Sequence, residues 1–569
     1  MKNVDWRALE NGLRIPTEAG YCDQPSIVKA KDGTWICSVT TGKGEEGAKG
    51  QYVNITHSND HGKSWSEPIA IEEPTWESAY SSLAIAPSGR IYCFYCYNLD
   101  HVDINDVPLV RYDMGGYYCY RYSDDNGVTW SERHIVPVRD FEMDEQQEEQ
   151  YKSYRGKPLR FFWNVSRVFF EGDTCFSALI KYHYDAKDVL NRSEGVLLRC
   201  KNLDKHPEAG EWETLPDGKI GLRTPKGGGR VAEEQSFVIL SDGTIYTTYR
   251  TIDGHPACAW SCDYGHTFTT DYIHYSDGRP MKHNRAATFI WPLGNKQYLY
   301  WFNNQGMQSY SRRNPIWCSL AKEIETPQGM NLAFSEPEIL LYHESEHVII
   351  SYPDLLYDDG WYITETQKLV ARMHPIDSGF MKKLCADTLE VKDIPVYSWR
   401  IEEKEGRVPE IVFSQGDHKV AHDQRFLSGE GYTLSLWIKD AQASEEVWST
   451  WTSDGGIEVK LNSRGYLAIR LGDTFAECTL EGSIALDDCA GHHIAIILDN
   501  RANIIYTVID GKMDDGGEKQ RSGWRWMNRA IIAIPGGKAI CGRSLCGADL
   551  YSRALMTREA AALRLIEKG

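Results

Sequence analysis

Six segments of this chain follow one plan, an apolar run, a tight turn and a second apolar run: SIVKAKDGTWICSV, LAIAPSGRIYCFY, VFFEGDTCFSAL, FVILSDGTIYTTY, FIWPLGNKQYLYW and LLYDDGWYITET. Each reads as a β-hairpin, because glycine stands at or beside the bend and β-branched or aromatic residues flank it. The turn glycines are Gly33, Gly89, Gly172, Gly243, Gly294 and Gly360, at intervals of 56, 83, 71, 51 and 66 residues. Such intervals hold two hairpins apiece, so the pattern predicts a four-stranded unit repeated six times. A chain of 569 residues needs more than one core. The pattern changes after RIEEKEGRVPE, near Ile401, where YTLSLWIKD, GIEVKLNSRGYLAIRL and HHIAIILDNRANIIYTVIDGK are longer alternating strands. These suit a second domain made of two packed sheets.

Between the hairpins a second signal recurs. Ser58–Trp65 reads SNDHGKSW, Ser123–Trp130 reads SDDNGVTW and Ser261–Phe268 reads SCDYGHTF, all of the form S-x-D-x-G-x-[ST]-[WF]. The physics is that of a turn: aspartate bonds backbone amides, glycine takes a positive φ, and the aromatic residue plugs the apolar layer beneath. Degenerate copies are expected around Trp212 and Phe334. The pattern resembles the Asp box of sialidases and related proteins, and that resemblance covers roughly residues 15 to 400. It implies an all-β chain: a six-bladed β-propeller over 1–400 carrying the catalytic site, followed by a jelly-roll β-sandwich over 405–569. GHHIAIILD, VIDGK and DLYSRALMTREAA in that second part are similar to laminin-G or concanavalin-like domains, which bind sugar or pack against a catalytic domain.

With 62 basic and 81 acidic residues the formal charge is -19, which repels nucleic acid and anionic membrane surfaces at long range. An anionic ligand therefore requires a local cluster of arginine. No run of about 18 apolar residues occurs and the first residues carry no apolar segment of the secretory kind, so the expected location is cytoplasmic. The 15 cysteines are odd in number and share no repeated spacing, as reduced thiols would. The one C-x-x-C, Cys93 and Cys96, lies in an alternating strand without a second ligand pair, so no metal and no cofactor are expected.

Ligands of a propeller sit where the innermost strands begin. Counting one strand length back from each turn glycine gives Asp23 and Gln24, Tyr80, Trp163, Glu234, Arg285 and Tyr352, with His283 beside Arg285 and Arg250 ending the returning strand of the fourth unit. Arginine suits bidentate recognition of a carboxylate, and aromatic faces suit sugar rings. The sialidase resemblance assigns these residues more closely. EEQSFVILSDGTIYTTYR supplies a Glu before an inner strand and an Arg at the hairpin end, Glu234 and Arg250. RRNPIWCSL supplies Arg313, with Arg312 as the alternative, and SYPDLLYDDG supplies the nucleophile, Tyr352, followed by Glu365 at the end of that hairpin. The chain departs from the family in two places. Asp23, Gln24 and Pro25 stand where the first of three carboxylate-binding arginines belongs, the RIP triplet that begins at Arg14 being about ten residues too early. The loop TGKGEEGAKGQYVN offers Glu45 and Glu46 in place of the acid/base aspartate, and Glu45 is taken as the candidate.

The resemblance implies an enzyme cleaving a terminal acidic sugar from an oligosaccharide or glycoconjugate by exo-α-sialidase-type hydrolysis. Two other readings stay open. One is a propeller enzyme cleaving rhamnosyl-glucuronate linkages by hydrolysis or elimination, with His283, Arg285, Arg250 and Tyr352 at work. The other is a propeller that binds carbohydrate without turning it over. Oligomeric state is left open.

Overall fold

A computed structural model describes residues 4–18, 20–106, 111–147, 160, 162–183, 192–366, 368–387, 389, 396–402, 410–413, 431–473, 476–527, 538–551 and 553–565. The chain forms two compact units, Met1–Ser335 with His347–Ser378, and Glu336–Glu346 with Gly379–Gly569.

The first unit is the six-bladed propeller. Its first blade runs Tyr21–Lys29, Trp35–Gly42, Tyr52–Ser58 and Ile69–Ala70, each strand antiparallel to the one before, and the fourth runs Glu233–Ile239, Ile245–Arg250, Ala257–Ser261 and Thr269–Tyr272. All six turn glycines have positive φ, from 54° at Gly172 to 99° at Gly89. The sixth blade has only three strands from its own stretch of chain, Ile350–Leu356, Trp361–Thr366 and Val370–Pro375. Its fourth is Leu13–Arg14, which pairs with the last of them, Leu13 opposite Met373 and Arg14 opposite Arg372. Leu13 and Arg14 of the LRIP stretch thus form the outer edge of the closing blade, with Arg14 exposed, and Arg14 cannot reach the strand start that its sequence suggests. The propeller's last strand ends at Pro375, short of the expected boundary at 400.

Four inner strands break register at the same place. Between Asp23 and Ser26, Ala79 and Ser82, Glu233 and Ser236, and Ser351 and Asp354, two residues face one on the neighbouring strand. The first residue of each bulge lies in the left-handed region: Gln24 at 46°, Tyr80 at 61°, Glu234 at 59° and Tyr352 at 47°. Non-glycine residues so placed cost about 1–3 kcal/mol each and persist only where the surroundings hold them. The bulge also frees the next residue from ladder pairing, which admits Pro25 and Pro353 inside strands. Two residues beyond each left-handed position, a side-chain oxygen accepts a backbone N–H from another blade, three of the donors lying on inner strands and Val168 immediately before the strand Phe169–Glu171. Leu83 donates to Ser26 Oγ at 3.1 Å, Val168 to Ser82 Oγ at 2.8 Å, Ile290 to Ser236 Oγ at 3.1 Å and Ile27 to Asp354 Oδ2 at 2.9 Å. One short stretch of sequence therefore re-aims a side chain toward the mouth and stitches neighbouring blades together.

The S-x-D-x-G turns repeat atom for atom. In the third, the Thr267 N–H and Oγ1 donate to Asp263 at 2.9 and 2.7 Å, Ser261 Oγ donates to Asp263 at 2.7 Å, and the Gly265 N–H donates to Ser261 Oγ at 2.8 Å. Asp60 and Asp125 make the same bonds with Ser64 and Thr129. Trp65, Trp130 and Phe268 each pack against a different interblade core. Trp212 and Phe334 hold the corresponding places in blades three and five, Phe334 being buried, without the serine and aspartate. Burial raises the Asp263 carboxyl, but its bonds to Thr267 and Ser261 bring it down to about 2. A depressed value in the fold contributes stability above the ordinary carboxylate range that disappears as pH falls through about 2. Asp263→Ala is expected to lower the thermal midpoint by a few degrees at neutral pH and by less under acid, with turnover unchanged; scanning calorimetry against pH checks both.

The second unit is a β-sandwich. Tyr432–Lys439, Gly491–Asp499, Ile504–Ile509 and Leu545–Tyr551 form one sheet, and Glu446–Ser449, Gly455–Leu461, Tyr466–Asp473 and Glu477–Ala485 belong to the other. Alternate residues of both, Leu434, Leu436, Ile494 and Ile496 with Ile457, Val459, Leu467 and Ile469, meet in one core.

Candidate active site

A cavity of about 710 Å³ opens where the propeller's inner strands begin, and its walls include Glu46, Tyr80, Arg111, Trp163, Glu234, Arg250, Arg313, Tyr352 and Lys368. Tyr352 and Glu234 stand on bulges of the sixth and fourth blades, 118 residues apart in sequence, and the Tyr352 hydroxyl donates to Glu234 Oε1 at 2.9 Å. Both are buried. Burial raises the Tyr352 hydroxyl above its ordinary range, helped by the Glu234 charge and opposed by Arg250 and Lys368. Burial likewise lifts the Glu234 carboxyl, with Arg250 opposing and Glu233 adding to the shift. The pair is a phenol donating to a carboxyl group whose proton affinity burial has raised, an arrangement through which a proton can pass between the two.

Arg250 ends its strand opposite Glu233. Its Nε and Nη2 both lie 2.8 Å from Glu233 Oε2, and Arg285 Nη2 donates to Glu233 Oε1 at 2.8 Å. Burial alone would raise the Glu233 carboxyl, yet the two guanidiniums hold it below the ordinary range. Glu233 thus fixes two arginines whose guanidinium carbons lie 5.6 and 4.5 Å from the Tyr310 ring centre. Arg250 Nη1 remains beside Glu234, 3.0 Å from Oε2, but neither atom has a hydrogen-bond partner among the described residues. Arg313 is held by the Tyr310 carbonyl at 2.9 Å and Ser351 Oγ at 2.8 Å, with its guanidinium 5.9 Å from the Tyr352 ring centre.

Where Asp23, Gln24 and Pro25 leave no arginine, the structure brings Lys368 in from the turn between the last two strands of the sixth blade. Its Nζ is ion-paired to Glu46, lies 3.6 Å from Asp23 and sits 5.7 Å from the Tyr352 ring centre. Its backbone N–H donates to Glu365 at 2.5 Å. Glu365 is buried behind it, its carboxyl raised by burial and then by the Asp23 charge. Asp23 lies beneath, its carboxyl raised by burial against the pull of Lys368 and bonded by the Tyr21 hydroxyl at 2.8 Å. On the other side Arg111 contacts Glu46 at 2.9 Å, Asp113 at 2.9 Å and the Tyr80 hydroxyl at 2.8 Å, and Tyr80 donates to Asp113 at 2.6 Å.

Two expected catalytic residues stand elsewhere. His283 is fully buried outside the cavity wall: its Nδ1 accepts the Asn303 N–H at 3.2 Å, its Nε2–H donates to the Ala286 carbonyl at 2.7 Å, and burial pushes its pKa down to about 3. Both ring nitrogens are occupied, so it is a structural, neutral histidine. Glu45 points to solvent, and its neighbour Glu46 occupies the cavity. Of the two arginines weighed for one position, Arg312 is exposed and Arg313 buried in the site. Arg285 acts on the cavity through Glu233 and Tyr310, and Gln24 faces the narrow axial channel with Ser26 and Arg167. Trp163 lines the wall, its ring 4.6 Å from that of Tyr182.

No protein-family model matches this chain, and no curated protein matches it in sequence. Among solved structures it is similar to a protein of unknown function from Dyadobacter fermentans, at 16% identity and a TM-score of 0.45, covering 64% of this chain and 98% of that one. The NanB sialidase of Streptococcus pneumoniae follows at 12% identity and 0.45, over 64% of this chain and 71% of that one. The Trypanosoma rangeli sialidase in complex with DANA shares 11% identity at 0.42, over 96% of this chain and 94% of that one.

Proposed function

We propose that the propeller hydrolyses the bond linking a terminal acidic sugar to a glycan, with Tyr352 as nucleophile, Glu234 as its base, and Arg250, Arg313 and Lys368 receiving the sugar carboxylate. The observation that carries this reading is the Tyr352–Glu234 hydrogen bond, made inside a cavity where Arg250 Nη1 lies next to the pair without a hydrogen bond of its own. An anomeric carbon bearing a carboxylate repels a carboxylate nucleophile, whereas a phenol that gives up its proton only on attack avoids that repulsion. The anchoring of Arg250 by Glu233 and of Arg313 by Ser351 means that little ordering is left for substrate binding to accomplish. Trp163 and Tyr310 offer flat apolar faces to a sugar ring.

Cleavage of a rhamnosyl-glucuronate linkage by elimination, which could move its proton through a histidine or a tyrosine, keeps only Tyr352 for that step, since His283 is committed to two backbone groups. The test sets a chromogenic sialoside beside a rhamnosyl-glucuronate oligosaccharide. Release of chromophore and free sialic acid is expected. Growth of conjugated-uronate absorbance without free sialic acid would overturn hydrolysis, and tight binding of both glycans with no product would mark a recognition module instead.

A further inference from the structure

The cations around the cavity are not held alike. Arg250 and Arg285 are bonded to Glu233, Arg313 to Tyr310 and Ser351, and Arg111 to Asp113 and Tyr80. Lys368 is the one lysine among the cations lining the cavity in the described residues; its ammonium lies between Glu46 and the more distant Asp23, and it is carried on a four-carbon stem with rotatable donors, where the others are planar guanidiniums. Glu46 sits on a loop whose Gly44, Gly47 and Gly50 have φ of 85°, 74° and 83°. It is the acid of that loop that faces the cavity.

Resting on the reading above, we propose that Lys368 is a positioning residue that couples substrate binding to proton donation: in the free enzyme it holds Glu46 as a carboxylate, and a bound sugar carboxylate draws its ammonium away, so that Glu46 takes a proton from solvent and becomes the general acid. The groups facing Glu46 favour this outcome. Lys368 and Arg111 supply positive charge, Asp113 and Asp23 negative, and Tyr80 and Tyr21 are neutral phenols nearby. Burial by itself raises the Glu46 carboxyl, and Lys368 is the first of the two cations that bring it below its ordinary range. With the lysine turned to the substrate, Arg111 remains, already engaged by Asp113, and the sugar carboxylate adds a negative charge. Both changes favour the protonated acid.

The proton then has a defined path. Tyr352 passes its proton to Glu234 as its oxygen bonds to the anomeric carbon. The bond to the leaving oxygen breaks with its electron pair, and Glu46 protonates that oxygen. Water then attacks the glycosyl–tyrosine, giving its proton to Glu46, while Glu234 returns a proton to the departing Tyr352 oxygen.

The test is calorimetric binding of 2,3-unsaturated N-acetylneuraminate, which carries the carboxylate but no leaving group, in two buffers of different ionisation enthalpy near neutral pH. Wild type is expected to take up about one proton per site on binding. Glu46→Gln should bind with no measurable uptake, and Lys368→Met should bind more weakly and also without uptake, while Lys368→Arg restores part of it. The basic limb of kcat/KM against pH should also move upward in Lys368→Met, because Glu46 in its free enzyme has lost the cation that keeps it ionised. Binding without proton uptake by wild type, or uptake that survives Glu46→Gln, would overturn the coupling and leave the hydrolase reading standing. Failure of wild type to bind any acidic sugar would remove both.

Discussion

Tyr352→Phe is expected to lose turnover on the order of 10³-fold while still binding acidic sugar, because one hydroxyl leaves and the arginines stay. Glu234→Gln should lose about 10²–10⁴-fold, the range for a positioned base. The double variant should be barely worse than either single one, since a nucleophile without its base and a base without its nucleophile fail at the same step. Three variants, with kcat, ligand affinity and thermal midpoint for each, decide the matter. Were Tyr352 only a core aromatic whose hydroxyl closes a strand end, its removal would leave Glu234 Oε1 buried without its donor, lower stability by about 1–3 kcal/mol and spare turnover. Near-wild-type kcat in Tyr352→Phe would sink the nucleophile assignment.

The second large effect is expected from Arg250→Met. It takes away one of two guanidiniums on Glu233 and the cation nearest Glu234, both carboxylates being fully buried. Removing one partner of a buried ion pair costs about 3–5 kcal/mol, and the loss should be pH-dependent in a definite direction. In wild type the depressed Glu233 contributes stability above the ordinary carboxylate range and loses it as pH falls below that range. In the variant both carboxyls favour their protonated forms, so the fold is best off in acid and weakens as pH rises. The deficit should therefore be largest at neutral and alkaline pH and shrink toward pH values of about 4. Denaturant midpoints of both proteins across that span test this, and a deficit independent of pH would mean that Arg250 acts through packing alone. Affinity for acidic sugars should fall with it at every pH.

Much of this site was legible because a propeller turns counting into geometry. Gln24, Tyr80 and Glu234 each stand nine residues before a turn glycine and Tyr352 eight, and all four occupy the first position of a bulge. Counting located the positions; the sheet register then explained why they point into the mouth. Charge was harder to read. Glu233 escaped notice because alternation would send it to the opposite face from Glu234, and only the bulge lets neighbours in sequence share Arg250. Lys368 and Arg111 come from loops, where no period places a side chain. His283 looked catalytic by type and neighbourhood, and its true partners are two backbone groups that no pattern of side chains announces. The choice of Glu45 over Glu46 failed for a related reason, since a glycine-rich loop fixes no alternation of inward and outward residues.

The seam of the ring has a consequence in time. The sixth blade is completed by Leu13–Arg14, so a strand made ahead of the propeller's other strands waits for the propeller's last, Val370–Pro375, before the ring can shut. Tyr352 lies on that unfinished blade, and Glu234 leaves the ribosome 118 residues ahead of it, roughly ten seconds at ordinary rates of synthesis. A nascent propeller therefore carries Glu234 and Arg250 before the proposed Tyr352–Glu234 pair can form. On the hydrolase reading, turnover is expected to begin only with topological completion, so its onset in a synthesis reaction would serve as a clock for closure of the ring.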